Sequence, residues 1–194
     1  MEEERKGHLF NEEVKLAVQK FERMKKNNEN YFFDVSEFES IIDYYIENNN
    51  SGSAFEAADM ATLQHPNSIS IQLRRAKVFL DKGRALEALR LLRRLESIEP
   101  GNSDIFIAKG AALGIMGDIQ GAKKMFDYAL SLDNEEIENV LFSIVSVLQN
   151  LNYYEHLIPY LERLKEHEPH VTSHIYDLAF AYDRKGDFNK CIEC

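Results

Sequence analysis

One local pattern returns every 34 or 35 residues along this chain, and a period of that length is typical of stacked helical repeats. Prolines fall at one phase of the pattern, small or apolar residues at a second, and glycine or asparagine at a third. The members are Pro66, Pro100 and Pro169, with Asn134 in the place of a fourth proline; Ala54, Ala88, Ala122, Leu157 and Cys191; and Gly83, Gly117, Asn152 and Gly186. Because each unit of such an array buries its apolar face against its neighbours, the period predicts an interaction architecture.

The charge and composition argue against several classes of protein. The 194 residues carry a formal net charge of -10, so the chain lacks the basic footprint that nonspecific binding to nucleic acid or anionic lipid requires. We expect no transmembrane segment, which needs roughly 20 apolar residues, and no signal peptide. Only two cysteines are present, Cys191 and Cys194, so no disulfide framework is expected. The predicted location is cytoplasmic.

Apolar periodicity and turn residues predict a series of paired helices. An amphipathic helix from Phe10 to about Asn28 precedes the repeats. Asp34 can cap the next helix, and either Glu37 or Glu39 can complete a capping box with it. Pairs follow near residues 35–48 and 53–64, 69–81 and 84–97, 103–115 and 119–131, and 138–150 and 153–167. The first helix of a fifth, partial repeat begins near Thr172 and ends at residues 185–187.

The predicted organisation is one continuous array and not two globular domains. Residues 1–34 form an N-terminal helix and linker, and residues 35–194 form the solenoid. The repeats cover about 35–68, 69–102, 103–137 and 138–171, with a partial repeat at 172–194. The extra residue of the fourth repeat is expected between Asn134 and Ile137. The short final helix predicts an array that is truncated or covered by another element.

The residues of this pattern resemble tetratricopeptide repeats (TPRs). The third repeat carries the resemblance best, with Phe106, Lys109, Gly110 and Leu113 on its first helix, Gly117 at its turn, and Ala122, Phe126 and Ala129 on its second. The resemblance covers residues 35–194 and implies an all-α fold, an α-solenoid of antiparallel helix pairs in a right-handed superhelix with an extra N-terminal helix. Small residues at Ala76, Gly110 and Ala179 allow helices to approach closely.

The resemblance also implies a concave groove lined by the first helices of successive repeats. Its inward residues begin with the acidic Glu39 and Asp43 and continue into a basic and then an apolar section, with Ser143 and Asp177 among them. The candidate partner-binding residues are Leu73, Arg74, Lys77, Ile107, Ala108, Ala111, Phe142, Ser146, Tyr176 and Phe180. The alternative is that these side chains pack between neighbouring repeats. The carboxylate clamp of some TPR domains is not expected, because Glu39, Asp43 and Ala108 occupy its places.

Catalytic and metal-binding chemistry have no strong candidates in the sequence. Cys191 and Cys194 have the spacing of a zinc half-site, but the chain offers no second cysteine pair, and Cys191 takes the place of a repeat alanine. His167, His170 and His174 cluster near Pro169, which puts His167 and His170 in a connection, so solvated loop histidines are expected rather than metal ligands. We therefore predict no enzyme activity, no metal ion and no cofactor.

The function predicted from the sequence is a protein–protein interaction scaffold that binds a peptide or a partner protein, without a nucleic-acid or membrane partner. The second repeat is locally basic from Arg74 to Arg94, which indicates either an ordinary solvated face or a docking patch for an acidic partner. The alternative function is a regulatory or targeting domain of a larger enzyme or sensor, truncated after Cys194. A third hypothesis is self-association through the unfinished C-terminal repeat.

Overall fold

The computed structural model describes residues 2–132 and 137–193, with side chains described from Glu12 onwards. Within these ranges the chain forms eleven α-helices and no strand. They are α1 (Glu2–Asn27), α2 (Val35–Glu47), α3 (Ser51–Gln64), α4 (Ile69–Asp81), α5 (Ala85–Ile98), α6 (Ser103–Ile115), α7 (Ile119–Leu132), α8 (Ile137–Asn150), α9 (Tyr154–His167), α10 (Thr172–Lys185) and α11 (Phe188–Glu193). None of the helices in the described ranges combines the length and apolar composition that crossing a bilayer requires.

The predicted all-α fold is confirmed, and the predicted helix ends lie within two residues of the observed ones in α2 to α9. Helix α1 differs because it begins at Glu2 and not near Phe10. The Asp34 side chain accepts a hydrogen bond from the Glu37 amide, and the Glu37 side chain accepts one from the Asp34 amide, so the predicted capping box starts α2. The expected position of the extra residue, at about 134–137, falls mainly outside the described residues.

One residue with a positive φ angle follows the first helix of each pair. Glycine reaches such angles without a steric cost, and asparagine tolerates them better than most residues. The five positions are Asn49 (φ 53°), Gly83 (70°), Gly117 (82°), Asn152 (59°) and Gly186 (81°). Four of them belong to the glycine phase of the sequence pattern, and Asn49 extends that phase to the first repeat. The short turns make antiparallel neighbours of the helices that they connect.

The chain divides into two compact units, Met1–Leu95 and Glu96–Cys194, each with its own apolar core. Consecutive first helices contact each other within each unit, α2 with α4 and α6 with α8. The largest fully buried side chains of the first unit are Phe21, Met24, Phe33, Phe38, Ile41, Ile42, Ile71 and Leu92. Those of the second unit are Ile105, Phe126, Leu141 and Ile144.

Helix α1 buries residues with the same spacing as the second helix of a repeat. The buried positions are i, i+4 and i+7 in both cases: Ala17, Phe21 and Met24 in α1, and Ala122, Phe126 and Ala129 in α7. Helix α1 contacts α2, and the Tyr45 hydroxyl donates a hydrogen bond to the Glu22 carboxylate. Burial and this carboxylate raise the pKa of Tyr45. Helix α1 therefore covers apolar surface of α2, as the helices of a preceding repeat do in a repeat array.

The linker between α1 and α2 is held by the C-terminal end of α3. The Gln64 side chain accepts a hydrogen bond from the Phe33 amide (3.0 Å) and donates one to the Tyr31 carbonyl oxygen (2.8 Å). His65 Nε2 lies 2.8 Å from the Phe33 carbonyl oxygen, so this ring nitrogen is the donor. Side chains of α3 thus satisfy linker backbone groups that lie outside any helix.

Replacing Gln64 with alanine is expected to lower the free energy of unfolding by about 1–3 kcal/mol, because two backbone groups of the linker lose their partners. Urea unfolding followed by circular dichroism measures the change. The matched control is Gln120→Ala on the exposed face of α7, which should change the stability by less than about 0.5 kcal/mol. Equal effects of the two substitutions would contradict the role of Gln64 in holding the linker.

Helices α6 and α7 cross closely at Gly110, which is buried. A Cβ atom at this position would lie 2.2 Å from Cε1 and 2.6 Å from Cδ1 of the Phe126 ring, well inside van der Waals contact. Of the other two small residues predicted at crossings, Ala76 is buried and Ala179 is half-buried. The third repeat therefore needs glycine where the sequence pattern only required a small residue.

Candidate partner-binding surfaces

In the first unit, the acidic and basic sections predicted for the groove neutralise each other. Arg74 on α4 forms ion pairs with Glu39 (Nη1 to Oε1, 3.1 Å) and Asp43 (Nη2 to Oδ2, 2.9 Å), which both lie on α2. Leu73 is buried, whereas Lys77 is exposed. Of the three candidate residues on α4, only Lys77 presents an exposed side chain.

Other basic residues of the second repeat are also paired. Arg75 lies 2.7 Å from Asp59 Oδ1, and Arg84 is hydrogen-bonded to Glu87, which lowers the pKa of the Glu87 carboxyl. The Arg84 guanidinium also lies over the ring of Phe79, at 4.8 Å from its centroid. A count of charges within the second repeat includes Glu87 but misses the partner of Arg75, because Asp59 lies 16 residues before Arg75 in the chain. The patch offered to an acidic partner is correspondingly smaller than the sequence indicated.

In the second unit, the three candidate residues on α6 are buried. Ile107, Ala108 and Ala111 are each at most 8% exposed. Packing against neighbouring side chains therefore accounts for most of their surface, as the alternative hypothesis predicts. Ile107 nevertheless also lines an open pocket on this side of the unit.

The open pocket has a volume of about 550 Å³ and lies between α6 and α8. It is lined by Glu99, Gly101, Asn102, Ser103, Asp104, Ile107, Asn139, Val140 and Ser143. Asn102 caps α6 by accepting a hydrogen bond from the Asp104 amide (3.1 Å), and it donates one to Glu99 Oε2 (2.9 Å). The pocket therefore combines two exposed carboxylates, several polar groups and two apolar side chains.

Most of the pocket residues were missed by the sequence reasoning, which named only Ile107 and Ser143. The available signal was the turn Pro100-Gly101-Asn102, because asparagine after such a turn is a typical helix cap. That signal marks the start of α6 but does not show that α8 lies beside it. The remaining lining residues follow only from the contact between these helices.

Exposed aromatic side chains lie on α8 and α10. Phe142 is 61% exposed and Tyr176 is 76% exposed, and the two residues occupy the same place in consecutive repeats. Phe180 is 45% exposed and packs edge-on against Tyr154, with 5.2 Å between ring centroids. Ser146 is half-buried. The second unit thus exposes three of the apolar candidate residues that were named from the sequence.

The histidines near Pro169 have carboxylate neighbours. His174 Nε2 lies 2.8 Å from Glu168 Oε2, and His167 Nδ1 lies 3.2 Å from Glu138 Oε1, while His170 is exposed. His170 lies in the connection between α9 and α10 as expected, whereas His167 is the last residue of α9. The His174 side chain is buried in the first turn of α10.

Metal chemistry receives no support from the described side chains. Across residues 12–132 and 137–193, no three histidine, cysteine, aspartate or glutamate side chains are grouped to hold a metal ion. Cys191 is half-buried and packs against the core of the second unit, which fits a packing residue. Cys194, the other cysteine of the predicted half-site, lies outside the described residues.

Solved structures similar to this chain share one fold. A thermophilic TPR protein of Thermus thermophilus has a TM-score of 0.66 and 14% identity, covering 89% of this chain and 98% of that one. A TPR protein of Parabacteroides merdae has a TM-score of 0.60 and 14% identity, covering 95% and 76%. A chain in the structure of Naa15/Naa10 bound to HypK-THB has a TM-score of 0.54 and 16% identity, covering 80% and 23%. No family model and no curated protein matches the sequence. The resemblance read from the repeat pattern is therefore confirmed in three dimensions, and the chain has the all-α, solenoid-type fold of the TPR proteins.

Proposed function

We propose that this chain is a protein-interaction scaffold that binds a peptide or a segment of a partner protein on the first helices of its repeats. The observation that carries the proposal is the exposure of Phe142, Tyr176 and Phe180 on α8 and α10. Tyr176 and Phe180 are four residues apart on one face of α10, and adjacent exposed apolar side chains of this kind are typical of interaction sites. Covering them removes apolar surface from water and contributes about 25 cal/mol per Å² to binding.

The repeat architecture supports the same proposal. The repeats at about 35–68, 69–102, 103–137, 138–171 and 172–194 supply the first helices, and the candidate residues lie on those helices. The Naa15/Naa10 structure, which shares the fold, is a complex with HypK-THB, so one protein of this fold is known with a protein partner. In this proposal the chain acts by binding and performs no chemistry.

Replacing Phe142 or Tyr176 with alanine is expected to weaken partner binding at least about tenfold, because exposed aromatic residues commonly dominate the energy of an interface. The partner is first recovered by affinity capture with the full chain and identified, and its affinity for each variant is then measured by isothermal titration calorimetry. Circular dichroism of each variant should be unchanged, because both side chains lie mostly in solvent.

The matched control is Phe188→Ala on α11. Phe188 is 63% exposed, about as much as Phe142, but it lies on α11, which is the second helix of the last repeat and not a first helix. The control should leave the affinity within about twofold of the original value, as expected outside an interface. If Phe188→Ala weakened binding as much as the two groove variants, or if those variants bound normally, the assignment of the surface would be wrong.

A further inference from the structure

The two compact units differ strongly in net charge. The second unit, residues 96–194, contains 8 lysine and arginine residues and 17 aspartate and glutamate residues, a formal charge of -9. The whole chain has a formal charge of -10, which leaves -1 for residues 1–95. A negative field of this kind attracts cationic partners and repels anionic ones. The exposed residues Phe142, Tyr176 and Phe180, which we call the aromatic face, thus belong to the acidic unit.

The open pocket connects Phe142 to carboxylates, because Ser143, the next residue of α8, lines this pocket. Glu99 and Asp104 are exposed residues of the open pocket, and Asp177 directly follows Tyr176 on α10. Helix α6 contains no lysine or arginine before Lys109, and α10 contains none before Arg184. Helix α8 contains none along its whole length. This edge of the face therefore offers negative charge beside apolar surface.

The nearby cations do not cancel this charge. Lys109 pairs with Glu96 at 2.8 Å and lies over the Phe106 ring at 5.1 Å. Arg184, at the C-terminal end of α10, lies 5.0 Å from the centroid of the Phe180 ring. The Phe180 ring thus already accommodates one guanidinium group, which shows that the aromatic part of the face can contact a cation.

We infer that the occupant of this face is a basic peptide segment in which lysine or arginine alternates or clusters with apolar side chains. This inference rests on the proposed function and specifies the chemistry of its partner. The cationic side chain enters the pocket beside Glu99 and Asp104, where two carboxylates and polar groups receive its donors. The neighbouring apolar side chains pack on Phe142 and Tyr176. The field that attracts this segment also repels acidic segments and nucleic acid.

Selection of random peptides of about a dozen residues displayed on phage tests the inference with the full chain as the immobilised target. We expect the selected sequences to combine lysine or arginine with neighbouring leucine, phenylalanine or similar residues. A synthetic copy of a selected peptide is then titrated against the original protein and the variants by fluorescence anisotropy. Its affinity should fall as salt concentration rises, because exposed charge pairs are screened.

The decisive variant is the double substitution Glu99→Gln and Asp104→Asn, which removes both charges and keeps similar side-chain shapes. It should weaken peptide binding about three- to thirtyfold, as expected for the loss of two rim charge pairs. The matched control is Glu155→Gln with Glu166→Gln, two exposed residues of α9 in the same unit. The control makes the net charge less negative by the same two units as the pocket variant, and it should change the affinity by no more than about twofold.

The possible failures separate the inference from the proposed function. Selected peptides that lack basic residues but lose binding to Phe142→Ala overturn the inference and leave the proposed function standing. Equal weakening by the α9 control and the pocket variant also overturns the inference, because attraction to the whole unit then explains the binding. A selection without binders, or with binders that are unaffected by Phe142→Ala and Tyr176→Ala, overturns both.

Discussion

Replacing Phe33 with alanine is expected to lower the free energy of unfolding by about 3–5 kcal/mol, because the ring is fully buried and its removal leaves a cavity. The Phe33 ring lies between α1 and α2, with centroids 5.9 Å from Phe21 and 5.1 Å from Phe38. Its loss removes contacts to both helices at once. Thermal unfolding followed by circular dichroism should show a fall of about 6–20 °C in the melting temperature of the 194-residue chain.

Phe32→Ala is the control for this substitution, since it removes the same side chain at the preceding position. Phe32 is 69% exposed and touches only the His65 ring among the described aromatic groups. Its replacement should cost less than about 1 kcal/mol. Comparable losses for the two variants would mean that the linker does not contribute to the core of the first unit as described.

Replacing Gly110 with leucine is expected to destabilise the second unit by about 3 kcal/mol or more, because the site has no space for even one additional carbon. The Cβ atom alone would lie 2.2 Å from Phe126 Cε1, and Phe126 is itself almost fully buried. The higher helix propensity of leucine offsets only about 1 kcal/mol of this cost. Urea unfolding measures the net change.

Two further variants identify Phe126 as the cause of the Gly110 effect. Gly101→Leu is the control, because a Cβ atom there would have no neighbour within 4 Å, and its stability change should stay within about 0.5 kcal/mol. Gly110→Ala should cost less in a Phe126→Leu background than in the original chain, since the smaller side chain frees space at the crossing. Additive effects in this double-mutant cycle would rule out the proposed clash.

The helices and turns could be predicted because they depend on residues that are close together in the chain. The capping box of Asp34 and Glu37 involves neighbours three residues apart, and the positive φ angles of Gly83 and Gly117 depend mainly on the absence of a side chain. The buried triplet Ala122, Phe126 and Ala129 follows from the helical period. Such local signals determined the fold class and most helix ends.

The candidate site could be predicted only in part. Phe142 and Tyr176, which the repeat register named as candidates, are exposed, whereas Ile107 at the same repeat position is buried. The same register also named Ile107 and Arg74 as candidate binding residues. Ile107 is buried, however, and Arg74 forms ion pairs with two carboxylates. Register indicates the side of the helix on which a residue lies, and it does not reveal what the neighbouring helix places there. The binding role of these residues stays a prediction.

The sequence by itself therefore determined the helical repeat, its turns and the acidic character of residues 96–194. Only the tertiary structure decided that Phe33 is a core residue, that Gln64 holds the linker and that Glu99 and Asp104 border a pocket with α8. The physical reason is the range of the interactions involved. Capping, helical periodicity and backbone angles act over a few residues, whereas burial and ion pairing depend on surfaces that folding brings together from distant parts of the chain.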